Sequence, residues 1–371
     1  MYTEHIELQN GVPGTRQTLQ VLRFGRSNAS PKVYIQAALH ADEVPGILVA
    51  HQLIRQLQAL EQQDAIVGEV VLVPFANPVG LAQKVLGQHM GRFDLRDGGN
   101  FNRSYADLTE KAAEALQAVL TQDSKENTGI IRRALRSAAA DLQSLNATQD
   151  LKNQLLRLAI DADVVLDLHC DTDAVMHVYG LTPQAPMVEA LGAALGARAV
   201  LLATESGDSP FDEACTRPWL QLQKLFPGFP IELACLGTTV ELRGESDTNH
   251  ALALQDASGL CNFLAHYGAL AGASKPLPEP QCIATPLSGS EPVTAPCAGV
   301  VVFHRKPGDL VAAGDLIADL VDAATGAITP VHCKSAGVMF ARAGTRWASP
   351  GKRLAKIAGT SLARTGKLLS P

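Results

Sequence analysis

An α/β sandwich with a mostly parallel or mixed sheet, followed by a small all-β domain, is the fold this sequence predicts. Three observations carry the prediction. Strand-like and helix-like stretches alternate over the first 80 residues. Segments such as 70–73 and 162–168 are apolar or nearly so, as strands buried on both faces must be. Beyond a Pro-rich joint at 276–280 the pattern changes to short β segments separated by Gly and Pro turns.

Residues 18–24 and 33–38 read as strands, the second leading into a short loop that holds His40 and Glu43. A helix over 44–63 follows, with Leu48, His51, Leu53, Ile54 and Leu57 on or near one face. His51 reads as an ordinary helix residue. The strand 70–73 comes next, and Asn77-Pro78 marks the turn after it. Residues 104–160 form a charged, Ala- and Leu-rich helical insert. Its helices are expected at 108–120, 130–145 and 151–160, the first two separated by the polar 121–129. The strand 162–168 then delivers His169 at its carboxyl end. Further strands are expected at 175–179, 199–202 and 238–242, and helices at 186–195 and 248–267. This β–helix–β order is what builds an α/β sandwich. In the second domain, strands are expected at 299–303, 316–321, 337–340 and 354–357. Its turns resemble those of biotinyl- and lipoyl-type sandwiches. Lys334 is the nearby lysine, and Cys333-Lys334-Ser335 is not a carrier turn, so a structural or substrate-shaping role is expected. The domains are taken as 1–275, catalytic, and 276–371, accessory.

The chain of 371 residues has 31 Lys and Arg against 37 Asp and Glu, a formal charge of -6. Charged residues are 18% of the chain, below the usual figure of about 25%. Hydrophobic residues are 46% and aromatics 5%, so the core must be built mostly from Ala, Leu and Val. That composition excludes disorder, and the charge balance argues against a basic nucleic-acid binder. The seven cysteines are scattered without a CxxC pair, which suits a reducing cytoplasm. The N-terminus lacks an apolar signal core, and no charge-free apolar run reaches about 18 residues. A cytoplasmic chain with no membrane or nucleic-acid partner is expected. The helical insert is a candidate subunit contact in a homo-oligomer, and equally a layer packed within one chain.

Three segments bring ligand-capable residues to strand ends: His40-Ala41-Asp42-Glu43, Asp167-Leu168-His169 and Thr239-Val240-Glu241. The carboxyl ends of strands are where an open α/β sheet binds ligands. Two histidines and a carboxylate form a recurrent catalytic zinc set. A lone His-x-x-Glu pair arises easily by chance, so the weight rests on the three segments together. Glu241 is then spare to accept a proton from water and deliver it to a leaving nitrogen. A fourth segment, 91–103, places Arg92, Arg96 and Arg103 around the turn Gly98-Gly99-Asn100. Arginine grips a carboxylate bidentately, and another could polarise a scissile carbonyl.

These marks, with Gly46, Asn77-Pro78 and Asp97-Gly98-Gly99-Asn100-Phe101-Asn102-Arg103, resemble the succinylglutamate desuccinylase and aspartoacylase family, a branch of the zinc carboxypeptidase superfamily. They occur in the family order over most of residues 30–245. The resemblance implies a zinc carboxypeptidase-like α/β/α sandwich with a C-terminal β barrel-sandwich domain. It implies one zinc ion per chain held by His40, Glu43 and His169, with Glu241 as general base and acid. Asn102 and Arg103 match where members bind the substrate carboxylate. Arg92 is the arginine expected to polarise the carbonyl, with Arg96 as its rival for that role or a further substrate contact. Asp167 and Thr172 are expected to orient the site from behind. The implied activity is hydrolysis of the amide of an N-acyl amino acid or related small acidic molecule. A metallocarboxypeptidase acting on short peptides is the alternative, and a non-catalytic binding or structural protein ranks below both.

Three departures stand out. Ala41 occupies a position where most members have Gly, and the insert after Arg103 is long. An additional arginine near the base has no convincing counterpart, Arg217 and Arg243 being the nearest. The stretch 208–217, with Asp212 and Glu213, could instead select a positively charged substrate group.

Overall fold

Nine strands hydrogen-bond into one mixed sheet in the computed structural model, which describes residues 1–272 and 275–369. The remaining four lie just before the expected Pro-rich joint and at the end of the expected β domain. The spatial order is Tyr2–Glu7, Thr18–Gly25, Glu69–Val73, Lys32–Ala37, Val164–Asp171, Leu236–Gly244, His177–Leu181, Ala199–Ala203 and Ala284–Pro286. The four middle members from Glu69–Val73 to Leu236–Gly244 run parallel to their neighbours in this block. The pair of Leu236–Gly244 with His177–Leu181 is antiparallel.

Strand alternation decides which helices each face collects. Tyr34, Val71, Val73 and Val165 join one apolar cluster with α3 (Thr109–Leu116), α4 (Ser124–Ala140), α5 (Ala147–Ala159) and α7 (Phe211–Leu225). Val33, Ile35, Leu72, Leu166 and Leu168 join the other with α1 (Pro45–Gln62), α6 (Ala185–Leu195) and α8 (His250–Tyr267). The helical insert is therefore a layer of the sandwich packed within the chain. Ile131, Leu135, Leu151 and Leu155 are fully buried there, each contributing about 1.5–3 kcal/mol relative to exposure.

Several boundaries differ from those the sequence predicts. Helix α4 begins at Ser124, inside the supposed polar break, because the Asp123 side chain accepts the Glu126 N–H and caps it. It ends at Ala140 and α3 at Leu116, both short of expectation. Helix α7 was not expected at all. Its signal is present as Phe211, Cys215, Trp219 and Leu222, all buried at helical spacing, but Pro218 interrupts the pattern. A four-residue α2 (Pro78–Leu81) follows Asn77.

The C-terminal region is β-rich. Glu291–Thr294, Arg353–Ala358, Gly337–Arg342 and Leu310–Val311 form one sheet, which also takes in Asp173–Ala174. Ala327–His332, Leu316–Asp322, Gly299–Phe303 and Trp347–Ala348 form another. Ile317, Leu320, Met339, Leu354 and Ile357 share a core. Lys356 is ion-paired with Asp171, so this region is stitched to the main sheet beside His169.

Candidate metal centre

Register places the ligand-capable residues side by side. Gln36 lies beside Asp167 and Thr239 beside Asp167, while Glu241 lies beside His169. Asp167, His169, Thr239 and Glu241 consequently project from the same face as α7. His40 arrives from the loop after Lys32–Ala37, where Ala38 takes a left-handed φ of 61°. That strained turn ends the strand and is held by its surroundings. Asn77 donates to the Leu39 carbonyl at 2.8 Å and accepts the Gly80 N–H at 2.8 Å. The Ala41 N–H donates to the Gly91 carbonyl at 2.9 Å, and Asp42 accepts the Gly91 N–H at 3.0 Å. A Cβ at Gly91 would lie 2.1 Å from the Asp42 nitrogen, so only glycine permits this staple.

Glu43 bridges the two histidines. Its Oε1 lies 2.8 Å from His40 Nδ1 and its Oε2 lies 2.7 Å from His169 Nδ1. The three potential ligand atoms lie within 4.8 Å of one another, all buried. The far ring nitrogens are also held. His40 Nε2 is 2.9 Å from Asn100 Oδ1, and His169 Nε2 is 3.0 Å from Asp167 Oδ2. Asn100 Oδ1 behind His40 and the Asp167 carboxylate charge beside His169 favour Nε2–H on each ring, so the Nδ1 atoms that face Glu43 would be the ligating nitrogens. Asp167 Oδ1 in turn accepts from Gln36, which accepts from Tyr34.

Charge in the cluster follows this packing. Burial disfavours the Glu43 carboxylate, yet His40 and His169 outweigh it and hold its pKa well below the usual range. Burial lowers His40. It also opposes protonation of His169, but Asp167 and Glu43 prevail and raise that group well above its ordinary value. These donors and their backing fit a divalent metal.

Glu241 stands next to this cluster, and burial with Glu43 nearby pushes its carboxyl up to about 8. Its Oε2 has no hydrogen-bond partner among the described residues. Arg92 reaches the cluster, its Nη1 donating to Glu43 Oε1 at 2.9 Å. Arg96 does not: it pairs with Asp94 at 2.8 Å and its side chain is 46% exposed. Arg103 lines the cleft, donating to the Asn102 carbonyl at 2.7 Å. Asn102 itself accepts the Phe211 N–H at 2.8 Å, pinning the start of α7, and its amide nitrogen lies 3.3 Å from His169 Nε2. Thr172 turns towards the C-terminal region and donates to the Arg342 carbonyl at 2.9 Å. Arg217 lies against Ser209, and Arg243 is paired with Asp256.

The cluster, Glu241, Arg92 and Arg103 share a cleft of about 760 Å³. Its wall includes residues that sequence reasoning missed: Tyr179, and Leu287, Lys356 and Leu369 from the C-terminal region. Asn100 was quoted only as part of a motif, although it backs His40. Lys152 of α5 donates to the carbonyls of Asn100 and Arg103 at 3.1 and 2.8 Å, so the insert braces the arginine-bearing turn. Lysines at such distances in sequence leave no local pattern that could have found them.

Comparison with known proteins finds relatives of the same fold. A relative from Halomonas elongata, N-alpha-acetyl-L-2,4-diaminobutyric acid deacetylase, is 27% identical over 336 residues, covering 88% of this chain and 82% of that protein. A crystal structure of a succinylglutamate desuccinylase/aspartoacylase family protein from Shewanella amazonensis SB2B is 26% identical with a TM-score of 0.83, covering 96% of this chain and 98% of that one. The product-bound ectoine utilization protein EutE (DoeB) from Ruegeria pomeroyi shares the fold at 20% identity with a TM-score of 0.66, covering 97% and 95% of the two chains. The model of the succinylglutamate desuccinylase/aspartoacylase catalytic domain matches residues 29–267, and the chain belongs to that family.

Proposed function

We propose that the protein is a zinc-dependent amide hydrolase that removes the acyl group from an N-acyl amino acid. The observation that carries this reading is the buried His40, Glu43 and His169 cluster beside Glu241 at the base of a cleft. The Halomonas relative, a deacetylase of an N-acetylated amino acid, supports the substrate class. His40, Glu43 and His169 would hold zinc, which when bound supplies Lewis acidity that polarises a carbonyl and makes water acidic. Glu241 accepts the proton from water and returns it to the departing amine. A carboxylate beside a divalent cation stays ionised yet can accept one proton, which suits both halves of that role. Arg92 holds the negative charge that develops on the carbonyl oxygen. Arg103 grips the carboxylate of the amino acid, with Asn102 fixing the turn.

The domain division proposed is catalytic 1–275 and accessory 276–371, the latter a β barrel-sandwich that shapes the cleft through Lys356 and Leu287. Seven unpaired cysteines support a cytoplasmic setting. Among the described residues no helix is long and apolar enough to cross a membrane.

The test is turnover of an N-acetyl amino acid panel, run beside a peptide panel, by the zinc-loaded protein and by Glu241→Gln. The variant should lose about 10²–10⁴-fold in kcat while keeping its metal. Full turnover by the variant, or hydrolysis of peptides alone, would refute the assignment.

A further inference from the structure

The cleft that holds the metal cluster has an apolar end. Leu181 and Leu201, from the strands His177–Leu181 and Ala199–Ala203, line it with Tyr179, Leu287 and Leu369. A second cavity of about 290 Å³ lies behind that end. Tyr179, Leu287, Lys356 and Leu369 line both spaces and so form the partition between them.

Three members of the partition are set by the body of the fold. Tyr179 lies in a sheet strand against the His177 ring, Leu287 is buried, and Lys356 is held by Asp171. Leu369 instead comes from the stretch after Arg353–Ala358, which has neither helix nor strand among its described residues. Hydrogen bonds and an ion pair fix this tail. Arg364 Nε donates to the Ser290 carbonyl at 2.8 Å, and Nη2 donates to the Leu287 carbonyl at 3.2 Å and the Ser290 hydroxyl at 2.8 Å. The Leu368 N–H donates to the Ser206 carbonyl at 2.8 Å, and Lys367 pairs with Asp208 at 2.7 Å. Leu368 itself is buried with Leu201, Leu287 and Phe340. An apolar side chain held this way is a stop, because close-packed surroundings yield little to a group that is too long.

The arginine-bearing turn hangs from the same loop as the tail. The Ser104 N–H donates to the Asp208 carbonyl at 2.8 Å and the Tyr105 N–H to the Ser209 carbonyl at 3.1 Å. Arg103 accordingly feels the charges of Asp208, Asp212 and Glu213, whereas Arg92 is turned to Glu43. An amino acid whose carboxylate rests on Arg103 therefore has its side chain on the tail's side of the cleft, with the acyl group at Arg92 and the metal cluster.

Resting on the hydrolase reading above, we propose that Leu369 determines specificity by stopping the side chain of the amino-acid half, so that the preferred substrates are N-acyl amino acids with a short apolar side chain. Truncating Leu369 joins the second cavity to the cleft and admits a longer one.

The experiment measures kcat/KM of the zinc-loaded protein for N-acetylalanine, N-acetylnorvaline and N-acetyl-2-aminooctanoate. The wild type should favour the norvaline derivative over the aminooctanoate by about tenfold or more. Leu369→Ala should shrink that ratio by about tenfold, and Leu369→Trp should instead lower the norvaline derivative relative to the alanine one by about tenfold. A wild type that accepts the aminooctanoate equally, or an alanine variant with the wild-type profile, overturns the proposal. So does a tryptophan variant that admits the aminooctanoate as the alanine variant does, since the tail would then have come away and Leu369 would not be the stop. Calorimetric binding of free norvaline and 2-aminooctanoate to the wild type and to Leu369→Ala reads the stop without turnover. A gain for the aminooctanoate in the variant supports it; identical relative affinities, or no binding, overturn it. That gain without hydrolysis of any acyl derivative by the wild type would support the stop and count against the hydrolase reading.

Discussion

Asp167→Asn isolates what the carboxylate behind His169 does for metal binding. The substitution preserves shape in a fully buried position. In the wild type, Oδ1 accepts from Gln36 at 2.9 Å and Oδ2 lies 3.0 Å from His169 Nε2. An asparagine can keep its oxygen towards His169 only by turning its NH₂ towards the Gln36 NH₂. Gln36 must then flip, and Tyr34, now 2.8 Å from Gln36 as donor, must become the acceptor. The reversed chain leaves the buried Tyr34 O–H without its acceptor, which should cost folding about 1–3 kcal/mol. What is lost is the negative charge that favours Nε2–H on His169 and raises the basicity of Nδ1. Loss of such a partner typically weakens metal binding about 10–100-fold, or about 1.4–2.7 kcal/mol. Competition against a chromophoric zinc chelator reads this directly, with thermal melting of the metal-free protein as control. A variant that binds zinc within about twofold of wild type would refute the argument that Asp167 tunes the ligand. A collapse in the melting temperature of the metal-free variant would show that Asp167 acts chiefly through packing.

Three further outcomes follow from particular contacts. Arg103→Ala should raise KM for a carboxylate-bearing substrate more than it lowers kcat; an unchanged KM, measured by initial rates, removes the carboxylate grip. Lys152→Met deletes two donations to the carbonyls of Asn100 and Arg103, each worth about 1.5–3 kcal/mol, so both melting temperature and KM should change. Unaltered values for both would show that the turn stands without the insert. His177 is buried, its Nδ1 donates to the Val175 carbonyl at 2.8 Å, and burial depresses its pKa from 6.5 to about 4. Because the unfolded chain then binds the proton more tightly, its contribution is present above pH 6.5 and lost as pH falls through 4, by about 3 kcal/mol. His177→Gln should flatten the fall in urea-measured stability between pH 7 and 4.5, and an identical slope in both proteins refutes it.

Much of the candidate metal cluster was legible along the chain. The apolar strand 162–168 and the residues after it announced Asp167 and His169, and the observed strand extends to Asp171. Helix boundaries were less legible where a cap overrode local polarity, as at Asp123, or where Pro218 obscured a buried stripe. The arginines behaved differently from one another although all three flank one turn. Arg96 is spent on Asp94, whereas Arg92 reaches Glu43. Spacing could not separate them, because the direction of a loop side chain depends on what packs around it.

By itself the sequence determined the kinds of donor available, their order, and the strand alternation that sends Asp167 and His169 to the same face. Those properties are local, set by residue chemistry and a two-residue period. Only the tertiary structure decided that Asn100 and Asp167 hold the far nitrogens of the two histidines. It alone brought Lys152, Asp212 and Lys356, residues from three separated segments, to the turn and the cleft. The physical reason is that packing of whole elements chooses such neighbours, and no periodicity within one element records which others will face it.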